Sequence, residues 1–352
     1  MKSYIAALLM SLVLLPVLCT AEPVPTPDSG VIGPSFAVSD LVCVGRVTGT
    51  HDVSAELVPE PPGTYPIKII TKVISLAVDR CYKGDAEEID VTVTTHDPRM
   101  LVSDFRPVPA GEDLLVLVRR AANGSFTLAD PYWSKWKAAL QTLPAPAASG
   151  MPQLERDLLA NLTPGGDPNS VMTNLRILKA LDKPSDAALT LVRSLFADPS
   201  LEVALEALSI AVKSGRAEDL RALAGFLEQR KPTLSPDILA QHDFSALMNP
   251  REAGAYLALE SLGDLPYAEL RDQAREGIRH LRNPRAVPWL IGHLDDSDPL
   301  LRYLAVISLA EITGRGGENG PGMGQFNKNP SKYTDAWKQW WADGGRARYG
   351  QP

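Results

Sequence analysis

Residues 283–313, NPRAVPWLIGHLDDSDPLLRYLAVISLAEIT, constrain the fold more than any other stretch of this chain. Asn283 offers a side-chain cap to a helix whose first-turn Pro284 has no amide to satisfy. Val287, Leu290, Ile291 and Leu294 then fall on one face at helical spacing. Asp298-Pro299 repeats the cap-and-proline signal, and Leu301, Leu304, Ala305, Ser308, Leu309 and Ile312 make a second apolar stripe. Two short antiparallel helices, each apolar on one side, bury those faces only against further pairs, so the pattern predicts a stack.

The order aspartate-proline, then Arg302, then the small Ala305 resembles the opening of the second helix in HEAT-like repeats of the short bacterial type. The resemblance implies an α-solenoid and a binding role. The motif also recurs within the chain: Pro184 and Pro284, like Asp198-Pro199 and Asp298-Pro299, stand at a common offset of 100 residues. Around the first copy, Leu191, Val192 and Leu195 precede Leu201, Ala204, Leu205, Leu208 and Val212. Between the copies, Leu220, Leu223, Ala224 and Leu227, then Leu259 and Leu262, then Leu270, Ala274, Ile278 and Leu281 have the spacing of further helices. The stretch 230–250, with three prolines, reads as a long loop, and the solenoid is placed at 151–313. A glycine-rich loop, 314–331, separates it from a final helix and tail, 332–352. There Tyr333, Trp337, Trp340 and Trp341 form one stripe that is expected to cap the last open apolar face. HEAT-like proteins of this kind look similar at their C-termini.

The N-terminal half has another texture. Met1 to Ala21 carries the parts of a secretory signal: Lys2, an apolar core from Ile5 to Val17, and Cys19-Thr-Ala21 as a small-x-small cleavage site. The apolar run is short for a membrane span, and Leu18 stands where a lipoprotein signal wants a small residue before Cys19. The reading is cleaved export to the periplasm or the extracellular space, with no stable membrane insertion afterwards. Two cysteines, Cys43 and Cys81, then remain in an oxidising compartment, and a structural disulfide is expected. It would close a loop of about 40 residues and stabilise by roughly 3–4 kcal/mol on the chain-entropy account.

After a flexible lead-in, 22–35, β texture runs over 36–140. Leu41 to Val47, Ile67 to Tyr82, Ile89 to Thr95, Leu114 to Val118 and Phe126 to Leu128 read as five strands. The connections 51–66 and 97–112 are long and proline-bearing. Asn123-Gly124 marks a hairpin whose two central positions tolerate positive φ. Five strands with a long second one and a lengthy crossing between the third and fourth suit a small barrel of the oligonucleotide/oligosaccharide-binding (OB) type. The phrases SDLVCVGRV, DRCYKG, PAGEDLLVLVRR and NGSFTL resemble bacterial domains akin to the netrin-like fold of tissue inhibitors of metalloproteinases. Those inhibitors chelate the target zinc through an N-terminal cysteine, whereas Cys43 lies within a strand. Residues 141–150 read as a linker by composition.

Composition and motifs exclude more than they assign. A net charge of −7 without long runs of one sign disfavours nucleic-acid binding. His51, His96, His242, His280 and His293 show no metal-ligand spacing, and His96-Asp97 has no activated serine to complete a triad. Gly314 to Gly320 lacks the Lys-Ser/Thr ending of a phosphate loop and follows a helix. No catalytic residue, cofactor or metal site is read. Some HEAT-like proteins resemble bilin lyases, but an exported chain without a free surface cysteine argues against that activity.

For partner contact two sets stand out. Arg271, Arg275, Arg279 and Arg282 recur along one helix face with Arg285 in the following turn, a candidate surface for carboxylates or an acidic protein. The plainer reading is a solvated face neutralised by Asp272 and Glu276. On the first reading, reversing Arg275 and Arg279 to glutamate abolishes partner capture without unfolding the repeats. Tyr132, Trp133 and Trp136 either stack on a ligand or glue the barrel to the repeats. The expectation is an exported two-domain protein, a disulfide-bonded barrel followed by an all-α solenoid, acting as a non-enzymatic binding protein or scaffold. The alternative is an inhibitor of an envelope protease acting through the barrel.

Overall fold

The computed structural model describes residues 32–58, 67–95, 108–129, 135–181, 183–316 and 320–350 of the 352-residue chain. The signal segment, His96-Asp97, Tyr132 and Trp133 lie outside them. A closed β-barrel leads, and an all-helical region follows.

Helix α1 (Ile32–Val38) comes first, so the lead-in is already structured at its C-terminal end. Ile32 is fully buried, its amide donates to the Ala180 carbonyl, and Lys83 Nζ donates to the carbonyls of Phe36 and Ala37. The lysine satisfies carbonyls that a helix C-terminus leaves without partners.

The barrel strands are β1 (Leu41–Val58), β2 (Ile67–Lys83), β3 (Glu88–Thr95), β4 (Asp113–Arg120), β5 (Phe126–Leu128) and β6 (Lys135–Lys137). Pairings β1–β2, β2–β3, β3–β5, β5–β4 and β4–β1 close a five-stranded ring in which only β3–β5 is parallel. Strand β6 pairs with β4 where β5 stops. The strand β1 extends past its expected end at Val47: residues 50–58 run beside β2 as one long ribbon, so much of the expected loop 51–66 is strand. The β4–β5 connection also differs from the expected tight turn. Only Gly124 takes a positive φ, 87°, while the Asn123 side chain accepts from the Ser125 amide and hydroxyl. Because the asparagine side chain closes the turn, its backbone need not enter the left-handed region.

Strand β4 explains its own unbroken apolar run. Leu114, Val116 and Val118 fill the barrel interior with Leu41, Cys43, Leu76 and Val91. Leu115 and Leu117 face the other way and join Val42, Val44 and Tyr82 in a core shared with the helices. A strand buried on both faces has no polar alternation to show.

The helices are α2 (Met151–Ala160), α3 (Pro168–Lys179), α4 (Asp186–Ser194), α5 (Leu201–Val212), α6 (Ala217–Arg230), α7 (Pro236–Leu239), α8 (Tyr256–Gly263), α9 (Ala268–Leu281), α10 (Val287–Gly292), α11 (Pro299–Thr313), α12 (Met323–Lys328) and α13 (Pro330–Trp340). Short polar side chains start many of them: Asp167, Ser185, Ser200, Ser235, Asn283, Asp298 and Asn329 each accept from a first-turn amide. The two copies of the aspartate-proline motif are not equivalent. Asp298 caps α11 directly, with Pro299 in its first turn. In the earlier copy Ser200 is the cap, and Asp198 accepts from the amides of Gly165 and Ser200, tying the start of α5 to the α2–α3 loop.

Two expected loops contain helices. The stretch 230–250 holds α7 and a 3-10 turn at Ser245–Met248, with Leu234, Leu239, Phe244 and Leu247 buried. The segment 314–331 holds α12, whose Phe326 is fully buried, and the start of α13. In both, prolines and glycines set helix ends rather than prevent helices.

Helix α5 lies at the centre. Leu205, Leu208 and Val212 belong to the core of the later helices, and Val203, Ala207, Ile210 and Ala211 to the core shared with the barrel. An apolar helix that lacks a polar face is a buried one.

Candidate functional site

A polar clamp fixes the seam between barrel and helices. Asp157 on α2, with no exposed surface, accepts from Arg80 Nη1 at 2.6 Å and 2.8 Å, from the Tyr82 hydroxyl at 3.0 Å and from Gln153 Nε2 at 2.7 Å. Burial pushes the Tyr82 hydroxyl upward, and the neighbouring Asp157 charge adds to the shift. The 141–150 segment is threaded into this clamp. The Pro144 carbonyl accepts from Arg80, and Gln153 Oε1 accepts from the amides of Ala147 and Ala148. The compositional linker is thereby held in place rather than left as a free tether.

The seam opens into a cleft of about 390 Å³ lined by Trp136 from β6, Arg176, Lys179 and Ala180 around the end of α3, Glu206 from α5, residues 240–243, and Glu269 from the first turn of α9. Its base is a three-residue cluster. Glu206, 4% exposed, receives His242 Nδ1 at 2.7 Å on one oxygen and Lys179 Nζ at 3.4 Å on the other. Burial alone drives the Glu206 carboxyl up, but the hydrogen bond from His242 and the Lys179 charge outweigh it and hold the group below the ordinary carboxylate range. An ionised Glu206 accepts from His242 only with the imidazole proton on Nδ1.

The cleft is lined by an indole wall, two cationic side chains, an imidazole, an amide and, besides Glu206, two further carboxylates. No hydroxyl or thiol nucleophile is among the described residues that line it. Mixed charges with an aromatic wall suit recognition of a polar chain better than the capture of one bare ion. Nor do three or more His, Cys, Asp or Glu side chains gather as a metal-ligand set among the described residues.

Glu206 and Lys179 were not candidates from the sequence, yet one signal was there. Glu206 interrupts the apolar run from Val203 to Leu208, and a carboxylate inside a buried helix needs partners.

The arginine set is dispersed. Arg275 is 2% exposed: its Nη2 donates to Asp296 at 2.9 Å and to the Gly263 carbonyl at 3.3 Å, and its guanidinium lies 5.4 Å from the Trp289 ring centroid. It is a buried structural pair and no part of a partner surface. Arg279 joins Glu311 at 2.9 Å and Glu276 at 2.6 Å. Arg282 takes the left-handed conformation, φ 49°, that ends α9, and reaches Glu311 at 3.5 Å. Arg271 is half-buried and Arg285 exposed. The neutralising acids are Glu276, Glu311 and Asp296; of the two expected, Glu276 takes that role and Asp272 forms no ion pair among the described residues. The double reversal of Arg275 and Arg279 would place a carboxylate against Asp296 in a buried site and destabilise this part of the helical region.

No family model, curated protein or solved structure matches this chain.

Cys43 and Cys81 face each other across β1 and β2 as a disulfide, and Cys43 is fully buried, so it has no route to a target zinc. Trp136 is packed against the shared core, on the seam side of the barrel. Tyr333 and Trp337 are buried in the core of the later helices with Phe326 and Leu309, and Trp340 and Trp341 pack against it. Gly314 is the left-handed C-cap of α11, φ 71°, which ends a helix rather than cradling a phosphate. His293 sits between the Trp289 carbonyl at 2.8 Å and Asp264 at 2.9 Å, and His280 between the Met248 carbonyl at 2.6 Å and Glu276 at 3.3 Å. His51 is exposed on β1.

Proposed function

We propose that this chain is an exported, non-enzymatic binding protein that holds a polar segment of a protein partner in the seam cleft. One observation carries the reading: the cleft is built jointly, with Trp136 from the barrel facing Arg176, Lys179, Gln241 and His242 from the helical region. Barrel and helices share a continuous apolar core and the Asp157 clamp, so the two walls form a rigid, preorganised groove.

The helical region is a HEAT-like solenoid on this reading. Its support is the capped helix pair α10–α11 and the role of Arg302, whose Nη1 donates to the Asp296 carbonyl at 2.6 Å and the Ser297 carbonyl at 3.3 Å. The arginine thus fastens the turn between the paired helices, and Ala305, 1% exposed, allows their close approach. The Cys43–Cys81 disulfide fits an oxidising compartment, and among the described residues no helix is long and apolar enough to cross a membrane.

The test is capture from envelope extract on the immobilised mature chain, with identification by mass spectrometry. The double variant W136A/R176E is compared with R285E, which changes charge away from the cleft. A partner retained by wild type and R285E and lost by the double variant supports the proposal. Undiminished capture by the double variant refutes it, and if the captured species is then a protease inhibited by the chain, the barrel-borne inhibitor reading replaces it.

A further inference from the structure

The C-terminal end of the helical region carries a second cleft, unrelated to the seam, of about 580 Å³. It is lined by Arg315, Gln339, Trp340, Asp343, Arg348 and Tyr349, among others. The Arg315 guanidinium stacks 5.5 Å from the Trp340 ring centroid, and that of Arg348 stacks 5.3 Å from Tyr349. The two rings are themselves neighbours, 5.8 Å apart between centroids.

The floor is built for this. After the left-handed Gly314, the Arg315 amide donates to the Ala310 carbonyl at 2.9 Å, which fixes the backbone from which that side chain springs. After α13 the chain kinks at Gly344, whose backbone is not helical, and returns under Trp340. A side chain at Gly345 would press on the Trp340 ring, so glycine permits the approach.

Charge decides the ligand class. Arg80, Arg193, Arg275 and Arg279 are each matched by a carboxylate. Arg315 and Arg348 make no ion pair with any described residue, and Asp343, the one acid in the lining, accepts instead from Gln339 at 2.8 Å. Two guanidinium groups held by aromatic rings, with an apolar wall between them, match a carboxylate that carries an apolar substituent.

We propose that this cleft binds a carboxylate joined to an apolar side chain, as at the C-terminus of a peptide or in a free amino acid. The carboxylate lies between Arg315 and Arg348, its apolar substituent rests on Trp340, and Asp343 is placed to meet the ammonium group of a free amino acid.

The test uses the full mature chain, with the Trp340 indole N–H resonance assigned through W340F. Titrants are N-acetyl-L-leucine, L-leucine and N-acetyl-L-leucinamide at millimolar concentration. A saturable shift with the carboxylates, none with the amide, and affinity weakened about tenfold or more in R315Q/R348Q supports the proposal. Unchanged thermal melting of that variant excludes a folding defect. Preference for L-leucine over its acetylated form, lost in D343N, identifies the free amino acid as ligand; the reverse preference identifies a peptide terminus. Equal response to the amide, no response to any titrant, or unaltered binding in R315Q/R348Q overturns it.

Discussion

The two ends of the helical region are closed in different ways. At the N-terminal end a β-barrel covers the open face with a shared apolar core and the Arg80–Asp157–Tyr82–Gln153 clamp, whose members are drawn from β2 and α2. At the C-terminal end α12 and α13 do so with Phe326, Tyr333 and Trp337. The first closure depends on polar groups 75 and 77 residues apart meeting in a dry interface. The second depends on ring placement along consecutive turns. A polar clamp fixes orientation, since its hydrogen bonds tolerate little misalignment. An aromatic cap mainly removes area from water. That difference keeps the two walls of the seam cleft in a fixed relative position.

The comparison can be broken from either side. Asp157→Ala is expected to be the most damaging change, because it strands Arg80 and Tyr82; a loss of roughly 3–5 kcal/mol is anticipated for removing one partner of a buried pair. Chemical denaturation should show it, and barrel and helices should melt together, since they share a core. Separate transitions would show that the seam is weaker than the fold implies. Trp337→Ala should cost about 3–5 kcal/mol through the cavity left behind, with the seam intact. Hydrogen exchange should place that loosening in α11 to α13. Replacing Cys43 and Cys81 by serine should cost roughly 3–4 kcal/mol by unfolding midpoint, confined to the barrel side.

A pH-dependent effect is expected on the helices between the two ends. Burial first, then the charge of Asp264, raises the Glu260 carboxyl to about 7. A group whose folded pKa is raised supports the fold below its unfolded value, and that support is lost as pH rises through the folded value. Glu260→Gln should therefore raise the melting temperature at pH 8 and leave it unchanged at pH 4. Equal gains at both would show that the carboxyl titrates normally. The smallest effect is reserved for Arg285→Ala, expected within about 0.5 kcal/mol because the side chain is exposed and unpaired among the described residues.

Much of the architecture was legible because local rules and tertiary packing agree. Asn283, Asp298 and Ser185 behave as caps wherever they occur, and the apolar spacing of α9 and α11 survives folding. Loops were over-read where proline and glycine sit at helix ends, as at Pro236 and Pro330, because those residues punctuate helices as readily as they replace them. The two readings of the arginine set could not be separated in the sequence for another reason. Helical spacing reports which side chains share a face, but not what covers it, and α10–α11 bring Asp296 and Glu311 over Arg275 and Arg279. The seam cleft was legible only in part: Trp136 stood out as an aromatic, while Glu206 and His242 lie 36 residues apart and were unconnected in one dimension.

The sequence by itself determined the β-then-α order, the disulfide pair, the helix caps and the aromatic closure, because each follows from propensity or spacing between near neighbours along the chain or across a strand pair. Tertiary structure alone decided which charges are buried in pairs, which arginines stay open, and where two walls meet to form a groove. Those outcomes depend on desolvation and on distances between segments far apart in sequence, which carry no periodic signal.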